Sequence, residues 1–404
     1  MSKAAVQPAL DPAADPAAGG PVLDPSDPAG KPLSSGGWSE ALIQLDNAYV
    51  VPPLESAFVQ PAGVLHADGR YCPEGALWRK WRPLTTKPEK PGGALIKLKG
   101  KWIWGGVLWQ HFGHFLAEST TRLWALDQID DADGILFIPK RPAVGEHLAG
   151  FQQGFVDQMG CDLPIQVVTQ PVRVEHLLVP GQGFGLGEII RGTDAYRDAV
   201  HARFATNIAA EGGEKLYISR SELGVGRGGL IGETRLETYL AAEGYEIFHP
   251  QKHSLDVQVA RYKAATHVIG AEGSALHMFA MVARPHQHVA VVLRRKSSAS
   301  NFIEQHLASF GGREPLAVQA LRRIWMPDGT KAKRMGLGEL DFPQVERDLT
   351  AGGFVSGKAG WADMSDDEVV ALMGKRAEKM TAVDTRKRRQ RRALRAESVG
   401  DSAS

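Results

Sequence analysis

Polar side chains capable of acid–base or metal chemistry recur at helical spacing in one stretch of the chain. His111, His114 and Glu118 lie at positions i, i+3 and i+7, and Arg122 follows one turn later. On a helix with about 3.6 residues per turn, all four fall on one face. Such a face suits Zn²⁺ binding, although the spacing matches neither His-Glu-x-x-His nor its inverse. The same groups would also satisfy one another in a partly buried helix, so both readings stay open.

A second set of residues has the character of an anion-binding site. Arg220 ends a short apolar strand predicted at 215–220, and a stretch rich in Gly and Arg that includes Arg227 follows it. Further along, small residues lead from a strand directly into a helix. A turn of this kind presents free backbone N–H groups and the positive end of a helix to an anion. This turn contributes the candidate ligand contacts Gly270, Glu272, Gly273, Ser274 and His277.

The elements around these residues alternate as in a parallel sheet. In chain order we predict a strand at 215–220, a Gly-rich loop over 224–232, a helix over 233–243, a strand at 245–248, a helix from Ser254 and a strand at 267–269. The order β-α-β-α-β is the unit of a parallel sheet. Ligands bind beyond the carboxyl ends of such strands, so we expect Arg220 and Glu272 to share one crevice.

The first half of the chain predicts a second α/β block. From 38 to 91 the pattern indicates only short strands and loops. Later elements are a hairpin turning at Lys99-Gly100, a helix from about 110 to 127, a strand at 134–139, a helix over 146–159 and strands at 165–169 and 172–179. A helix over 195–210 is expected to connect this block to the second half.

Several segments, in this order, resemble glycosyltransferase family 61. They are Leu216-Tyr-Ile-Ser-Arg220, His249-Pro250 followed by Ser254-Leu-Asp-Val-Gln258, and Val268-Ile-Gly-Ala-Glu-Gly-Ser-Ala-Leu276. The resemblance covers roughly residues 95 to 300. It implies an α/β, GT-B-like fold, in which two Rossmann-like blocks face a cleft. It also implies inverting transfer of a sugar from a nucleotide-sugar donor to a glycan or glycoconjugate hydroxyl, in surface or capsular polysaccharide biosynthesis.

The resemblance also assigns roles to the helical stripe. The family's N-terminal motif has a His, a Glu four residues later and then Arg-Leu, which here are His114, Glu118 and Arg122. Inverting transfer needs a base for the acceptor hydroxyl, and a neutral imidazole with a pKa near roughly 6.5 suits that task. Glu118 either accepts the other ring N–H of His114 or is itself the base, and we favour His114. His111 and Arg122 are then acceptor-side or supporting residues.

On the donor side the resemblance implies a metal-free site in which arginines and helix N-termini neutralise the diphosphate. Arg220 is the first candidate, and Arg227 matches the family's denser arginine cluster only approximately. Gly270, Gly273 and Ser274 shape the turn against the nucleotide.

Two residues of this turn have open roles. Glu272 stands where the commoner family pattern has His, and a carboxylate there suits ribose hydroxyls or a base edge better than a diphosphate. His277, in the first turn of the next helix, either reaches the phosphates or has a structural role.

Composition divides the chain further. We predict a disordered tail over 1–37, an acceptor-side domain over 38–194, a donor domain over 195–330, a closing segment over 331–374 and a basic disordered tail over 375–404. The basic run 386–392 favours either contact with anionic lipid or a solvated tail. A net charge of +1, with no accompanying aromatic platform, gives no reason to expect nucleic acid as a partner.

The expected location is the cytoplasm, with peripheral contact at the inner face of the membrane if the basic tail binds lipid. The chain has only Cys72 and Cys161, so a disulfide framework is not expected. We expect neither a metal nor another cofactor. Two other functions stay open: a metal-dependent hydrolase that uses His111, His114 and Glu118, and a non-catalytic protein that binds nucleotide sugars or glycans.

Overall fold

The structure is a computed structural model that describes residues 30–224, 228–295, 298–329 and 335–385. The described chain divides into two units. The first holds residues up to Ala149 with Leu163–Ile189 and Thr193–Tyr196; the second holds Gly150–Asp162, Ile190–Gly192 and the chain from Arg197. Most of the predicted N-terminal tail, the site candidate Arg227 and the basic run 386–392 lie outside the described residues.

Among the described residues, the first unit is built on a six-stranded mixed sheet. The strands of the whole unit are β1 (Leu42–Val51), β2 (Gln60–Pro61), β3 (Gly63–Leu65), β4 (Trp78–Arg79), β5 (Arg82–Pro83), β6 (Thr85–Thr86), β7 (Ile96–Leu108), β8 (Gly134–Pro139), β9 (Ile165–Val167) and β10 (Val172–Pro180). The unit also contains the short helix α1 (Phe112–His114). The large sheet has the order β3-β1-β10-β7-β8-β9. It is parallel from β10 to β9 and antiparallel at β1 and β3. β4 and β5 form a separate antiparallel hairpin.

The apolar sequence of the central strands explains their place in this sheet. All six residues of β8 are buried, as expected for a parallel strand covered on both faces. β1 has ten residues, although only short strands were predicted between 38 and 91. That prediction was wrong because β1 draws its order from β10, a partner far away in sequence, rather than from a local turn.

The predicted hairpin at Lys99-Gly100 was also wrong. β7 runs unbroken through this position and pairs in parallel with β10 on one side and β8 on the other. Gly100 has a φ of 82°, and the register against β10 shifts between Val174 and His176. Gly100 therefore forms a bulge within one strand, a common use of a glycine in this conformation.

The segment predicted as a regular helix over 110–127 is irregular. α1 continues as a π-helical turn at Phe115–Ser119, and a 3₁₀ turn follows at Leu123–Asp127. Ser119 Oγ donates to the carbonyl of Val107, and Thr120 Oγ1 donates to the carbonyl of Leu116. The Thr120 bond, to the carbonyl four residues earlier, is of a kind that often bends helices, and π turns often occur at functional sites.

In the described chain, the second unit is built on a five-stranded parallel sheet and a four-stranded mixed sheet. Its helices are α2 (Gly150–Gln158), α3 (Asp194–Arg203, whose first three residues belong to the first unit), α4 (Glu233–Ala242), α5 (Leu255–Ala264), α6 (Ala275–Val282), α7 (Ser298–Gly311), α8 (Phe342–Ala351) and α9 (Asp366–Met373). Its strands are β11 (Lys215–Ile218), β12 (Gly229–Ile231), β13 (Glu246–Phe248), β14 (His267–Ala271), β15 (His288–Val292), β16 (Leu316–Val318), β17 (Leu321–Pro327), β18 (Leu337–Leu340) and β19 (Met380–Asp384). None of the described helices is long and apolar enough for a membrane span.

The predicted β-α-β-α-β unit is confirmed. The parallel sheet has the order β13-β11-β14-β15-β16, with α4 between β11 and β13 in sequence and α5 between β13 and β14. Ser254 caps α5 by accepting a hydrogen bond from the backbone of Val257, which explains why the helix begins there. The carboxyl ends of β11, β14 and β15 consequently lie side by side.

The four-stranded sheet corrects two predictions. Its order is β12-β18-β17-β19. Part of the predicted Gly-rich loop after Arg220 forms β12, which pairs with β18. The predicted basic tail does not begin at Lys375, because β19 pairs antiparallel with β17. Neither strand could be recognised from local composition, because each is ordered by a partner that is distant in sequence.

Candidate functional site

The first group of polar residues is a compact cluster of His114, Glu118 and Arg79. His114 Nδ1 lies 2.7 Å from Glu118 Oε2. Arg79, on β4, binds the same carboxylate with two donors: Nε donates to Oε1 at 2.6 Å, and Nη2 donates to Oε2 at 2.5 Å. The Glu118 side chain has 0% exposure, whereas that of His114 has 33%. The carboxylate is therefore enclosed, and the imidazole is the group that a substrate can reach.

The charge on Glu118 decides which ring nitrogen of His114 donates to it. Burial raises the pKa of Glu118, but the nearby Arg79 charge and the hydrogen bond with His114 lower it, for a net pKa of about 2. Glu118 is thus ionised at neutral pH, with both oxygens occupied, and is a poor proton acceptor. An ionised carboxylate accepts from His114 Nδ1, so Nε2 is the ring nitrogen left for a ligand. Arg79 Nη2 lies 3.1 Å from His114 Nδ1 because both nitrogens donate to the same atom, Glu118 Oε2.

Aromatic side chains hold the cluster in place. The ring of Trp109 stacks on His114, with centroids 4.6 Å apart and planes at 30°. The Arg79 guanidinium lies 4.9 Å from the centroid of Trp109 and 5.4 Å from that of Phe58. Lys140 is held behind the cluster, where its Nζ donates to three oxygens and burial lowers its pKa to about 7. The imidazole is thus oriented by both hydrogen bonding and stacking.

The arrangement does not fit the metal-binding reading. The His111 ring lies 5.2 Å from that of His114, so this part of the predicted stripe is formed. Both oxygens of Glu118 bind Arg79, and His114 directs Nδ1 at the same carboxylate. Within the described residues, no group of three His, Cys, Asp or Glu side chains is arranged to hold a metal ion.

Arg122 does not lie on the predicted stripe. It follows the π turn, which interrupts the helical repeat between His114 and Arg122. Its guanidinium is buried and donates to the carbonyls of Glu74, Ala76 and Pro180. Burial lowers the pKa of Arg122 to about 10. The residue therefore joins backbone segments of the first unit.

This role makes a stability prediction. Arg122→Met leaves three carbonyls without their donor, so we expect the free energy of unfolding to fall by about 3 kcal/mol. Urea denaturation measures the change. Arg70→Met is the matched control, because Arg70 forms a solvent-exposed pair with Asp68 whose loss should change the stability little. Equal denaturation midpoints for the two variants would contradict the structural role.

The second group of residues lies at the carboxyl ends of neighbouring strands. Arg220 follows β11, Glu272 follows β14, and Arg294 and Arg295 follow β15. Arg295 Nε donates to Glu272 Oε1 at 2.7 Å, and the backbone N–H of Arg294 donates to Oε2 at 3.2 Å. Arg220 and Glu272 thus follow neighbouring parallel strands at one edge of the sheet, and the crevice expected between them stays a prediction.

Arg220 has the surroundings of an anion ligand. A Cβ added at Gly273 would lie 2.4 Å from Arg220 Nη1, so only glycine lets the guanidinium lie against this turn. Arg220 Nε is buried, and no hydrogen-bond partner for it is found among the described residues. Burial lowers the pKa of Arg220, and Glu233 and Glu272 oppose that shift. The guanidinium stays charged, and a buried donor of this kind is stabilised by an acceptor supplied from outside.

Glu272 contacts arginines instead of facing outward as a ribose ligand. Its side chain has 0% exposure, and Arg294 also donates from Nε to its backbone carbonyl. The carboxylate compensates part of the positive charge of Arg220, Arg294 and Arg295 and holds two of these residues. Glu233 also acts on Arg220, so more than one carboxylate balances the positive charge of this sheet edge.

The remaining candidates have structural contacts. A Cβ at Gly270 would lie 2.5 Å from Leu276 Cδ2, so this glycine permits close packing of strand and helix. Ser274 occupies the N-cap of α6 but makes no side-chain capping bond. His277 is buried, and its Nδ1 lies 2.9 Å from Nδ1 of His306, where one ring must donate and the other accept.

A comparison with protein families identifies the segment that carries these residues. Residues 112–290 match the family model described as Glycosyltransferase 61. The chain carries a glycosyltransferase 61 domain. The match of this segment implies glycosyltransferase activity, with sugar donor and acceptor substrates. A search of curated proteins finds no match to the chain.

Three residues of the cluster and the sheet edge lie outside the matched glycosyltransferase 61 segment and were missed in the sequence. Arg79 belongs to Trp78-Arg-Lys-Trp-Arg82, where the density of aromatic and cationic residues was the available signal. Arg294 and Arg295 come just after β15. The rule that ligands bind beyond strand ends identifies both arginines when it is applied to every strand of the sheet.

Proposed function

We propose that this protein is an inverting glycosyltransferase that moves a hexosyl or pentosyl group from a nucleotide-sugar donor to a glycan or glycoconjugate hydroxyl. The observation that carries the proposal is the oriented imidazole of His114 within the glycosyltransferase 61 domain. Its Nδ1 lies against an ionised, enclosed carboxylate, so Nε2 is the ring nitrogen left for the acceptor hydroxyl. Surface or capsular polysaccharide synthesis is the pathway class we propose for the reaction.

In this mechanism the acceptor hydroxyl gives its proton to His114 Nε2. The acceptor oxygen forms a bond to the anomeric carbon from the face opposite the nucleotide, and the bond from that carbon to the diphosphate oxygen breaks. The electron pair leaves with the diphosphate, so the anomeric configuration inverts. Glu118 stabilises the imidazolium that forms, because the ionised carboxylate accepts from Nδ1.

On the leaving-group side we assign the diphosphate to the second unit. Arg220, Arg294 and Arg295 provide fixed donors where negative charge develops, and the start of α6 adds backbone N–H groups. Because guanidinium groups supply the counter-charge, the proposal requires no metal ion. A GT-B arrangement is the corresponding fold proposal, since each unit contains its own sheet with parallel strands. The cytoplasmic location and the lipid contact of the basic tail stay predictions.

The test is a thermal-shift series on the chelator-treated protein. We expect nucleotide sugars and nucleoside diphosphates to raise Tm, monophosphates to raise it less, and nucleosides to leave it unchanged. A ligand at about 100 times its Kd stabilises the folded state by about 2.7 kcal/mol. NMR of the product formed from the stabilising donor should then show an inverted anomeric centre. Stabilisation only after zinc is added back, or a product with retained configuration, would overturn the proposal.

A further inference from the structure

The first turns of α7 carry two polar side chains that the proposed mechanism does not use. Ser300 and Glu304 are four residues apart, so they lie on one face of the helix. Ser300 is 3% exposed, and its hydroxyl has no hydrogen-bond partner in the described chain. One carboxylate oxygen of Glu304, Oε1, is also buried and has no partner there. Because buried polar groups in native proteins are nearly always hydrogen-bonded, two such atoms on one helix face indicate a ligand.

The sheet topology places this face at the same edge as Arg220. α6 and α7 each follow a strand of the parallel sheet, so both begin at its carboxyl edge, and the two helices pack together. His277, the third residue of α6, contacts His306, the ninth residue of α7. At about 1.5 Å per residue, α7 therefore extends roughly 9 Å further beyond this edge than α6. Glu304 is then level with the start of α6, and Ser300 lies beyond it.

The charges near Glu304 agree with this position. Burial raises the pKa of Glu304, and the carboxylates of Glu272 and Glu314 add to that shift. Glu272 follows β14 at the sheet edge, next to the strand that Arg220 follows. The Arg220 guanidinium lies against Gly273, two residues before the start of α6. The cation and the Glu304 carboxylate therefore lie near the same short stretch of chain, and each has one buried atom that lacks a partner among the described residues.

The two groups suit different parts of one ligand. A phosphate pairs with Arg220 but is repelled by a carboxylate, so Glu304 favours a neutral group that donates hydrogen bonds. Vicinal hydroxyls meet this requirement, because a carboxylate accepts from two of them and a serine hydroxyl bonds to either. A nucleotide sugar carries such diols on both sides of its diphosphate, one on the ribose and one on the transferred sugar.

We propose that Ser300 and Glu304 are specificity-determining residues of the donor site and bind a vicinal diol joined to the diphosphate. Glu304 accepts hydrogen bonds from the two hydroxyls, Ser300 bonds to one of them, and Arg220 binds the phosphate. The ribose and the transferred sugar are two sources of this one chemistry, and the experiment separates them. The inference rests on the proposed function and names the part of the donor that the second unit recognises.

Calorimetric titration of the full chain tests the inference. The ligands are pyrophosphate, the ribonucleoside diphosphates, their 2′-deoxy counterparts, and UDP-glucose, UDP-xylose and GDP-mannose. For a ribose diol we expect the ribonucleoside diphosphate to bind at least about tenfold more tightly than its 2′-deoxy counterpart. For a diol on the transferred sugar, the nucleotide sugar should bind tighter than its diphosphate by about the same factor.

Variants of α7 should remove this preference and spare the anion. Glu304→Leu should abolish the preference of the wild type, and Ser300→Ala should weaken it in part, because each loses groups that bond to the hydroxyls. Pyrophosphate has no hydroxyl of this kind, so its affinity should stay unchanged in both variants. Glu314→Leu is the matched control, because Glu314 is an exposed carboxylate near the amino end of β16. We expect this control to bind every ligand as the wild type does.

The stability of the ligand-free variants separates ligand binding from a structural role. A buried carboxylate oxygen without a partner destabilises the folded state, so Glu304→Leu should keep or raise Tm, whereas loss of a structural contact lowers it. A lower Tm, a wild type without either preference, or an equal loss in Glu314→Leu would overturn the inference. If the wild type binds no diphosphate, the proposed function fails as well. If Arg220→Ala abolishes diphosphate binding but Glu304→Leu binds every ligand normally, only the diol assignment fails.

Discussion

Arg220→Ala should remove most of the stabilisation by nucleoside diphosphates and raise their Kd about a hundredfold. The guanidinium is buried beside Gly273, and its Nε has no partner within the described chain. A diphosphate oxygen bound there gains a charge-assisted hydrogen bond in surroundings where water competes weakly. Removal of one partner of such a buried pair costs about 2–5 kcal/mol, which corresponds to a factor of about thirty to a few thousand. Thermal shift and calorimetry measure the loss.

Arg261→Ala is the matched control for this prediction. Arg261 lies in the same unit and pairs with Glu246, the first residue of β13, so it marks the opposite edge of the parallel sheet. We expect this variant to bind donor normally. Gly273→Ala should reproduce part of the Arg220→Ala effect, because the added methyl group displaces the guanidinium. Normal diphosphate binding by Arg220→Ala, or an equal loss in Arg261→Ala, would contradict the donor site.

The second unit shows which structural features local sequence patterns can predict. Its strands are short and end where Gly or polar residues begin, and Ser254 marks a helix start by its capping side chain. Each of these signals involves only a few neighbouring residues. Once the strand order is known, the alignment of parallel strand ends places Arg220 beside Glu272 without any further information. Sequence therefore predicts the position of this edge well.

The contacts at this edge are harder to predict from the sequence than its position. Glu272 was expected to face a ligand, but Arg295 binds it, and that partner lies 23 residues later in the chain. Arg79 lies 39 residues before Glu118 and comes from a segment with no periodic pattern. Neither pair can be recognised from the local sequence, because each depends on how separate elements pack. The chemistry of each residue was predictable, whereas its partner was not.

Periodicity failed where the backbone departs from an ideal helix. A 3.6-residue repeat places Arg122 on one face with His114, but the π turn adds a residue to the repeat between them. Phe115–Ser119 are all buried, so the segment has no polar face to define an amphipathic helix. Gly100 is a similar case, because a glycine with positive φ fits a hairpin turn and a bulge equally well. Only the parallel partners of β7 decide between them.

His114→Ala should lower kcat about 10²–10⁴-fold and leave donor binding intact. General-base catalysis by a positioned side chain contributes about this factor. Donor binding is spared because the proposed diphosphate ligands belong to the second unit. Glu118→Gln should also lower kcat, because the amide no longer fixes Nδ1–H of His114 and leaves Arg79 beside an uncharged partner. Initial rates under donor and acceptor saturation measure both effects.

His176→Ala is the control that separates this chemistry from an ordinary histidine–carboxylate contact. His176 Nδ1 lies 2.8 Å from Asp46 Oδ1 in the same unit, but the pair is exposed, with 43% and 65% of the side chains accessible. We expect its loss to leave kcat unchanged. If His114→Ala keeps its rate while Glu118→Gln loses it, the carboxylate is the base, despite a pKa near 2 and two occupied oxygens. Such a result would require Arg79 to release Glu118 during turnover, since the bidentate contact leaves neither oxygen available to a hydroxyl proton.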